Sequence, residues 1–289
     1  MVNWIAYIGF CFLLGFVRLL PEGFLFWLSD GGAFLLQKMI GYRKDVIQKN
    51  LNKSFPQKTV AEKKQIATNY YQHLSDLLIE TLQSFSLSEE QLESRFQYEN
   101  TDLLLPYLDD GQSIVLLGSH FGNWEMGCLS FPLQTTYPVY TVYKPLSNPK
   151  LETYLKKLRS KWGMQMIPMN QLARVLVAQK NTPSIYILVA DQSPASTNKA
   201  IWKTFLHQRT PFINGVEKVA KQTRYPVFYF AIEKENRGQY KVQFSNIWDG
   251  VTPIKDGVLS DLYILSLTQQ INNRPSEWLW SHNRWKKAT

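Results

Sequence analysis

Cysteine is nearly absent from this chain: two residues, Cys11 and Cys128, in 289. One lies in an apolar run and the other in a stretch that reads as helical, which excludes a disulfide framework and suits a reducing compartment. Neither a CxxC pair nor a zinc-type His/Cys spacing occurs, so no metal site is expected. There is no internal repeat, no low-complexity segment and no evident linker. A recognition helix and an RNP-like strand pattern are missing too, which argues against a nucleic-acid module and leaves no nucleic acid among the expected partners. The amino terminus has no basic stretch and no small-residue cleavage site, so it is not a secretory signal.

What is present is a basic chain with an ordinary apolar content. Apolar residues make up 45 %, too few for a polytopic membrane protein. Lys and Arg number 32 against 23 Asp and Glu, a formal charge of +9. That surplus calls for an anionic partner, such as phospholipid headgroups or an acidic carrier protein, or else only keeps the chain soluble.

Residues 1–17 carry no charged side chain, and residues 4–17 read WIAYIGFCFLLGFV. As a helix this run reaches about 25 Å, the lower limit for crossing a hydrocarbon core. A buried core helix is the alternative. Trp4, Tyr7 and Trp27 as interfacial anchors, with Arg43, Lys44, Lys49 and Lys53 following, favour a membrane helix with the rest of the chain on the cytoplasmic side. Residues 1–28 are therefore expected to be a membrane anchor that either spans the bilayer or lies in its interface.

Residues 29–110 read as a helical region. Thr59 with Glu62, and Ser88 with Gln91, form capping-box pairs, the first opening a long amphipathic segment. From residue 111 the pattern changes. Short β-rich runs at 113–117, 139–143, 184–189 and 227–232 alternate with helical stretches near 149–161, 171–179 and 216–223, and a helix over 259–272 follows. This alternation predicts an α/β fold, a sheet flanked by helices, over 111–289, with 29–289 forming one folded unit.

The stretch that carries chemistry is GSHFGNWE, residues 118–125. It follows an apolar strand and leads into a helix, so His120 sits at a strand's carboxyl end, where open α/β sheets place their ligands. Asn123 is a good N-cap, which puts Glu125 in the first helical turn. Five residues apart on one helix, the two side chains would diverge by about 140°. A turn at Gly122 lets imidazole and carboxylate converge, and a carboxylate on one ring nitrogen makes the other a stronger base. By the same reading a lone His after a strand is equally a structural residue. Cys128 reads as core packing, His73 as structural, and the tail WLWSHNRWKK either as a membrane or carrier contact or as a packed end.

GSHFGNWE resembles the H-x4-D/E box of the glycerolipid acyltransferase superfamily, specifically the bacterial lipid A biosynthesis acyltransferases of lauroyl or myristoyl type. The resemblance extends to YRKDVIQKNLNKSFP before the box. After it come Tyr143-Lys144-Pro145, Leu158-Arg159-Ser160, Ala190-Asp191-Gln192 and the closing PSEWLWSHNRWK. It implies a glycerolipid acyltransferase-like mixed sheet and transfer of a fatty-acyl group without an acyl-enzyme. The donor would be a thioester of acyl carrier protein or coenzyme A, a co-substrate, with no cofactor. The acceptor would be a hydroxyl of a lipid A precursor or, alternatively, of another glycolipid or an aminoacyl lipid. His120 would be the general base and Glu125 its partner. Asn123, Lys144, Arg159, Asp191 and Gln192 would contact or position substrate, Arg159 meeting an anionic group. The implied place is the bacterial inner membrane, with the catalytic domain at its anionic cytoplasmic face. Lys144, where the family usually has Arg, and the sequence QSPAS after Asp191 depart from the family and bear on the acceptor.

Overall fold

The computed structural model describes residues 2–287. The amino-terminal third is helical. It comprises α1 (Val2–Leu19), α2 (Glu22–Phe34), a short π-helical turn at Leu35–Met39, α3 (Lys44–Ser54), α4 (Val60–Ser84) and α5 (Glu89–Glu93). Both capping boxes form. The Thr59 hydroxyl accepts from the Glu62 amide at 3.2 Å, while the Glu62 carboxylate accepts from the Thr59 amide at 2.6 Å.

The expected membrane-spanning helix is not borne out. Met1 lies outside the described residues, and among those described no helix is long and apolar enough to cross a membrane. The reason lies in length and packing. The uncharged part of α1 ends at Arg18, so it rises only about 24 Å where a hydrocarbon core needs about 30 Å. One side of α1 is also committed to protein: Val17 is buried, and the Tyr7 ring meets Tyr154 edge-on at 5.5 Å.

Behind the helices lies a mixed seven-stranded sheet in the order β1-β9-β8-β2-β5-β3-β4. The strands are β1 (Phe96–Glu99), β2 (Ile114–Gly118), β3 (Val139–Tyr143), β4 (Gln165–Pro168), β5 (Ile185–Val189), β8 (Val227–Asn236) and β9 (Gln239–Trp248). A separate antiparallel hairpin pairs β6 (Ile201–Phe205) with β7 (Gln208–Phe212). Every pairing in the large sheet is parallel except β8 with β9. The remaining helices are α6 (Leu105–Asp109), α7 (Trp124–Ser130), α8 (Pro149–Arg159), α9 (Leu172–Ala178), α10 (Gly215–Thr223) and α11 (Val258–Asn273). The α/β reading thus holds, but the division expected at residue 110 cuts through the sheet, because β1 pairs with β9.

Central β2 shows why its sequence is apolar without alternation. Val115 and Leu117 face one core, with α4 and α11, while Ile114 and Leu116 face the other, with α7, and all four are buried. A parallel strand covered on both faces has no polar side to show.

Candidate active site

Two neighbouring strands present the chemistry. In the β2–β5 pairing, Gly118 lies opposite Val189. His120 and Asp191 each sit two residues further on, past the carboxyl ends of adjacent parallel strands. The loop after β2 is held tightly. Gly122 takes a positive φ of 57°, and a Cβ there would lie 2.9 Å from the Ile232 carbonyl oxygen, so only glycine fits without strain. The Gly122 amide donates to the Glu277 carbonyl at 3.1 Å, and the Leu279 amide to the His120 carbonyl at 3.1 Å. The carboxyl-terminal segment is therefore zipped along this loop.

The partner of His120 is Asp191, not Glu125. His120 Nδ1 lies 2.7 Å from Asp191 Oδ1, which also accepts the His120 amide at 3.2 Å. Asp191 Oδ2 accepts from the Trp278 indole at 2.9 Å. Asp191 is buried, which alone would raise its pKa. The neighbouring imidazole and the donors from His120 and Trp278 outweigh that burial and hold the carboxyl below its usual range. An ionised Asp191 assigns the proton to Nδ1 and leaves Nε2 as the basic nitrogen. Nε2 lies 3.0 Å from the Gln192 side-chain amide, which donates to it in this tautomer. The His120 side chain keeps 20 % exposure, and its ring meets Trp124 edge-on at 5.1 Å.

Glu125 does lie in the first turn of α7, as expected, but its carboxylate is taken by Arg159 Nε at the end of α8. Both side chains are partly exposed, and the remaining guanidinium N–H groups have no other partner among the described residues. The convergence expected from the turn at Gly122 is prevented because Trp124 stands against the imidazole and Arg159 draws the carboxylate away.

The other expected contacts divide. Gln192 touches the imidazole. Asn123 is fully buried and spent on structure: its Oδ1 caps the Met126 amide at 3.0 Å and its Nδ2 donates to Glu80 at 3.0 Å. Lys144 is exposed just past β3 and, among the described residues, its side chain makes no hydrogen bond or ion pair with His120, Asp191 or Gln192. The Cys128 thiol is pushed up to about 12 by burial, which disfavours the thiolate a nucleophile needs. The tail is packed, with Trp278, Trp280 and Arg284 at most 1 % exposed, and so is no surface patch.

Sequence reasoning misses two residues that shape this site. Trp278 reads only as part of an aromatic tail, and no local signal ties it to Asp191. Glu80, buried in α4, supports the box by accepting from Asn123 and from the Tyr240 hydroxyl. No spacing in the sequence points to it.

Comparison with known proteins bears on the chain as a whole. The family described as bacterial lipid A biosynthesis acyltransferase matches residues 1–287. The lipid A biosynthesis palmitoleoyltransferase of Escherichia coli (strain K12) is 21 % identical over 289 residues, covering 98 % of this chain and 91 % of its own length. A lipid A biosynthesis acyltransferase of Shigella flexneri matches to the same extent. The lipid A biosynthesis lauroyltransferase of E. coli K12 is 18 % identical over 284 residues, covering 98 % and 92 %. Such identities carry the class of reaction and leave acyl chain and acceptor open. The chain is an acyltransferase and belongs to the bacterial lipid A biosynthesis acyltransferase family.

Proposed function

We propose that the protein transfers a fatty-acyl group from a carrier-protein or coenzyme A thioester to a hydroxyl of a lipid A precursor, with His120 as general base. The observation that carries this reading is the His120–Asp191 contact, which leaves Nε2 basic and partly exposed. An acceptor hydroxyl would replace Gln192 at Nε2 and lose its proton there as its oxygen attacks the thioester carbonyl. The tetrahedral intermediate collapses by breaking the carbon–sulfur bond, and the departing sulfur takes the proton back from the imidazolium. Asp191 orients the ring and stabilises its charged form. The free N–H groups of Arg159, held by Glu125, are available as donors for the developing oxyanion or for a phosphate. Glu125 thus acts through Arg159 and not as the partner of His120.

The lipid acceptor implies work at a membrane surface, which we place at the cytoplasmic face of the inner membrane. Phe12, Phe16 and Leu19 on α1, Trp27 on α2 and Met39 beyond it are all more than half exposed. An apolar face of this extent suits contact with acyl chains, from the interface and without a span.

The test uses purified full-length protein, an acyl thioester and a panel of polar lipids, with mass spectrometry of the products. Acyl transfer to a lipid A precursor is expected, and His120→Ala should lose at least two orders of magnitude, the usual scale for a general base. Thioester consumption without acceptor would make the protein a hydrolase. Near-normal transfer by a folded His120→Ala protein would remove His120 from the mechanism.

A further inference from the structure

Away from His120, the turn at Leu35–Met39, α3 and α4 enclose an open groove of about 430 Å³. Its apolar part is a wall of exposed Val60 and half-buried Ala67 on α4, backed by the buried Ile47, Leu51 and Tyr71. Its rim carries four lysines, Lys38, Lys44, Lys63 and Lys64. Among the described residues no carboxylate lies within ion-pair distance of any of them. Four like charges around one hollow repel one another, and an anion placed between them turns that repulsion into attraction.

The lining narrows the ligand class. A small hydrophilic anion would meet the lysines and leave Val60 and Ala67 against water. An acidic protein would present a broad surface, about 800 Å² for a stable complex, where this is a concavity within the size range of small-ligand sites. An amphiphile uses both parts. Leu35, Met39 and Ile40 stand exposed beside the groove, in the same turn that supplies Lys38, so the lysines border the apolar face itself. The groove is also distinct from the His120 site. Gln48 of α3 faces the groove, while Asn50, on the opposite side of the helix, donates to the Trp280 and His282 carbonyls at 2.9 and 3.0 Å.

We propose that this groove binds the phosphate-bearing head of an anionic glycerophospholipid, with the start of an acyl chain against Val60 and Ala67. This rests on the reading of the α1–α2 face as lipid-facing and is independent of the acyl-transfer chemistry. Lysine suits such a headgroup, because its ammonium is a point charge that needs no fixed approach angle and so tolerates a mobile phosphate.

The experiment is calorimetric titration of the full-length protein with dihexanoyl phosphatidylglycerol below its micelle concentration. Dihexanoyl phosphatidylcholine and inorganic phosphate serve as separate arms. Lys63→Gln/Lys64→Gln should weaken phosphatidylglycerol binding at least tenfold, from about fivefold per lysine at an anionic lipid. Lys156→Gln/Lys157→Gln, exposed on α8, should leave it unchanged. Equal binding of phosphatidylcholine, equal affinity for inorganic phosphate, no binding at all, or equal losses in the two double variants would each overturn the proposal. Phe12→Asp/Trp27→Asp separates the two readings. It should reduce retention on phosphatidylglycerol vesicles and keep the soluble lipid bound, so unchanged vesicle retention would count against the lipid-facing helices alone. Loss of soluble-lipid binding in that variant would count against the groove.

Discussion

His120 and Asp191 meet at 2.7 Å because each stands two residues past a paired position, Gly118 and Val189, on adjacent parallel strands. The contact is therefore set by sheet register more than by the loop sequence. Asp191→Asn keeps the shape but removes the charge that fixes the tautomer and stabilises the imidazolium. It should lower kcat by about two to four orders of magnitude with a smaller change in KM. Its pH profile should also change shape, an outcome that a merely structural role would not produce. His120→Ala/Asp191→Asn should be little worse than His120→Ala, since the pair acts as a unit. Additive losses would break that unit.

Glu125 and Arg159 form a second pair, and their variants should behave differently from those at His120. Arg159→Gln removes the free donors and should cost at least tenfold at every salt concentration. Lys157→Gln removes the same charge from the same helix, and any effect it has should fade as salt rises. Glu125→Gln should be milder than Arg159→Gln, and the double variant should resemble Arg159→Gln. Matching, salt-sensitive losses at 157 and 159 would reduce Arg159 to one charge among many.

The box itself is legible in the sequence because its parts are local: an apolar strand, a glycine that must turn, an N-cap and a helix. So are the main helices and the strands of the sheet's centre, whose apolar runs reflect burial on both faces. What the sequence does not reveal is which carboxylate reaches the imidazole. Glu125 is near in sequence, but Asp191 is near in register, and register depends on strand order, which short apolar runs leave open. Strand β9 is hidden by alternating polar residues, and β1 by its four-residue length. Hydropathy alone overstates α1 as a span, because it does not show that Tyr7 and Val17 face protein.

Gly122→Ala tests the loop's geometry without touching a reacting group. A left-handed conformation costs a residue with a Cβ about 1–2 kcal/mol, and the 2.9 Å approach to the Ile232 carbonyl adds to it. The variant should unfold several degrees lower and lose activity as the loop shifts His120. An unchanged melting temperature would show that the loop relaxes freely.

Acid should destabilise the fold before Asp191, whose carboxyl is held below its usual range, takes up a proton, and His73 supplies the reason. It is buried in α4, and among the described residues neither ring nitrogen makes a hydrogen bond of ordinary geometry, the Gly122 and Glu277 backbone lying near enough only to oppose the shift weakly. Burial, aided by the Lys234 charge, pushes its pKa down to about 4, and burial moves His282 to about 4 as well. A histidine with a lowered folded-state pKa is neutral in both states above about 6.5, where its full stability is present. As pH falls below 6.5 the unfolded chain binds the proton first, so stability drains away until about pH 4, where the folded state binds it too. For His73 the span from 6.5 to about 4 corresponds to roughly 3 kcal/mol. Burial raises Glu80 and Glu277, which therefore gain stability over part of the same window, so the native curve alone mixes opposite contributions. His73→Leu isolates the histidine, because it keeps an apolar side chain of similar reach and removes the proton site. Urea unfolding at pH 7 and pH 4.5 should show native protein losing more stability than the variant, by about one to three kcal/mol. Equal losses in the two proteins would mean that His73 finds a partner for its proton on folding.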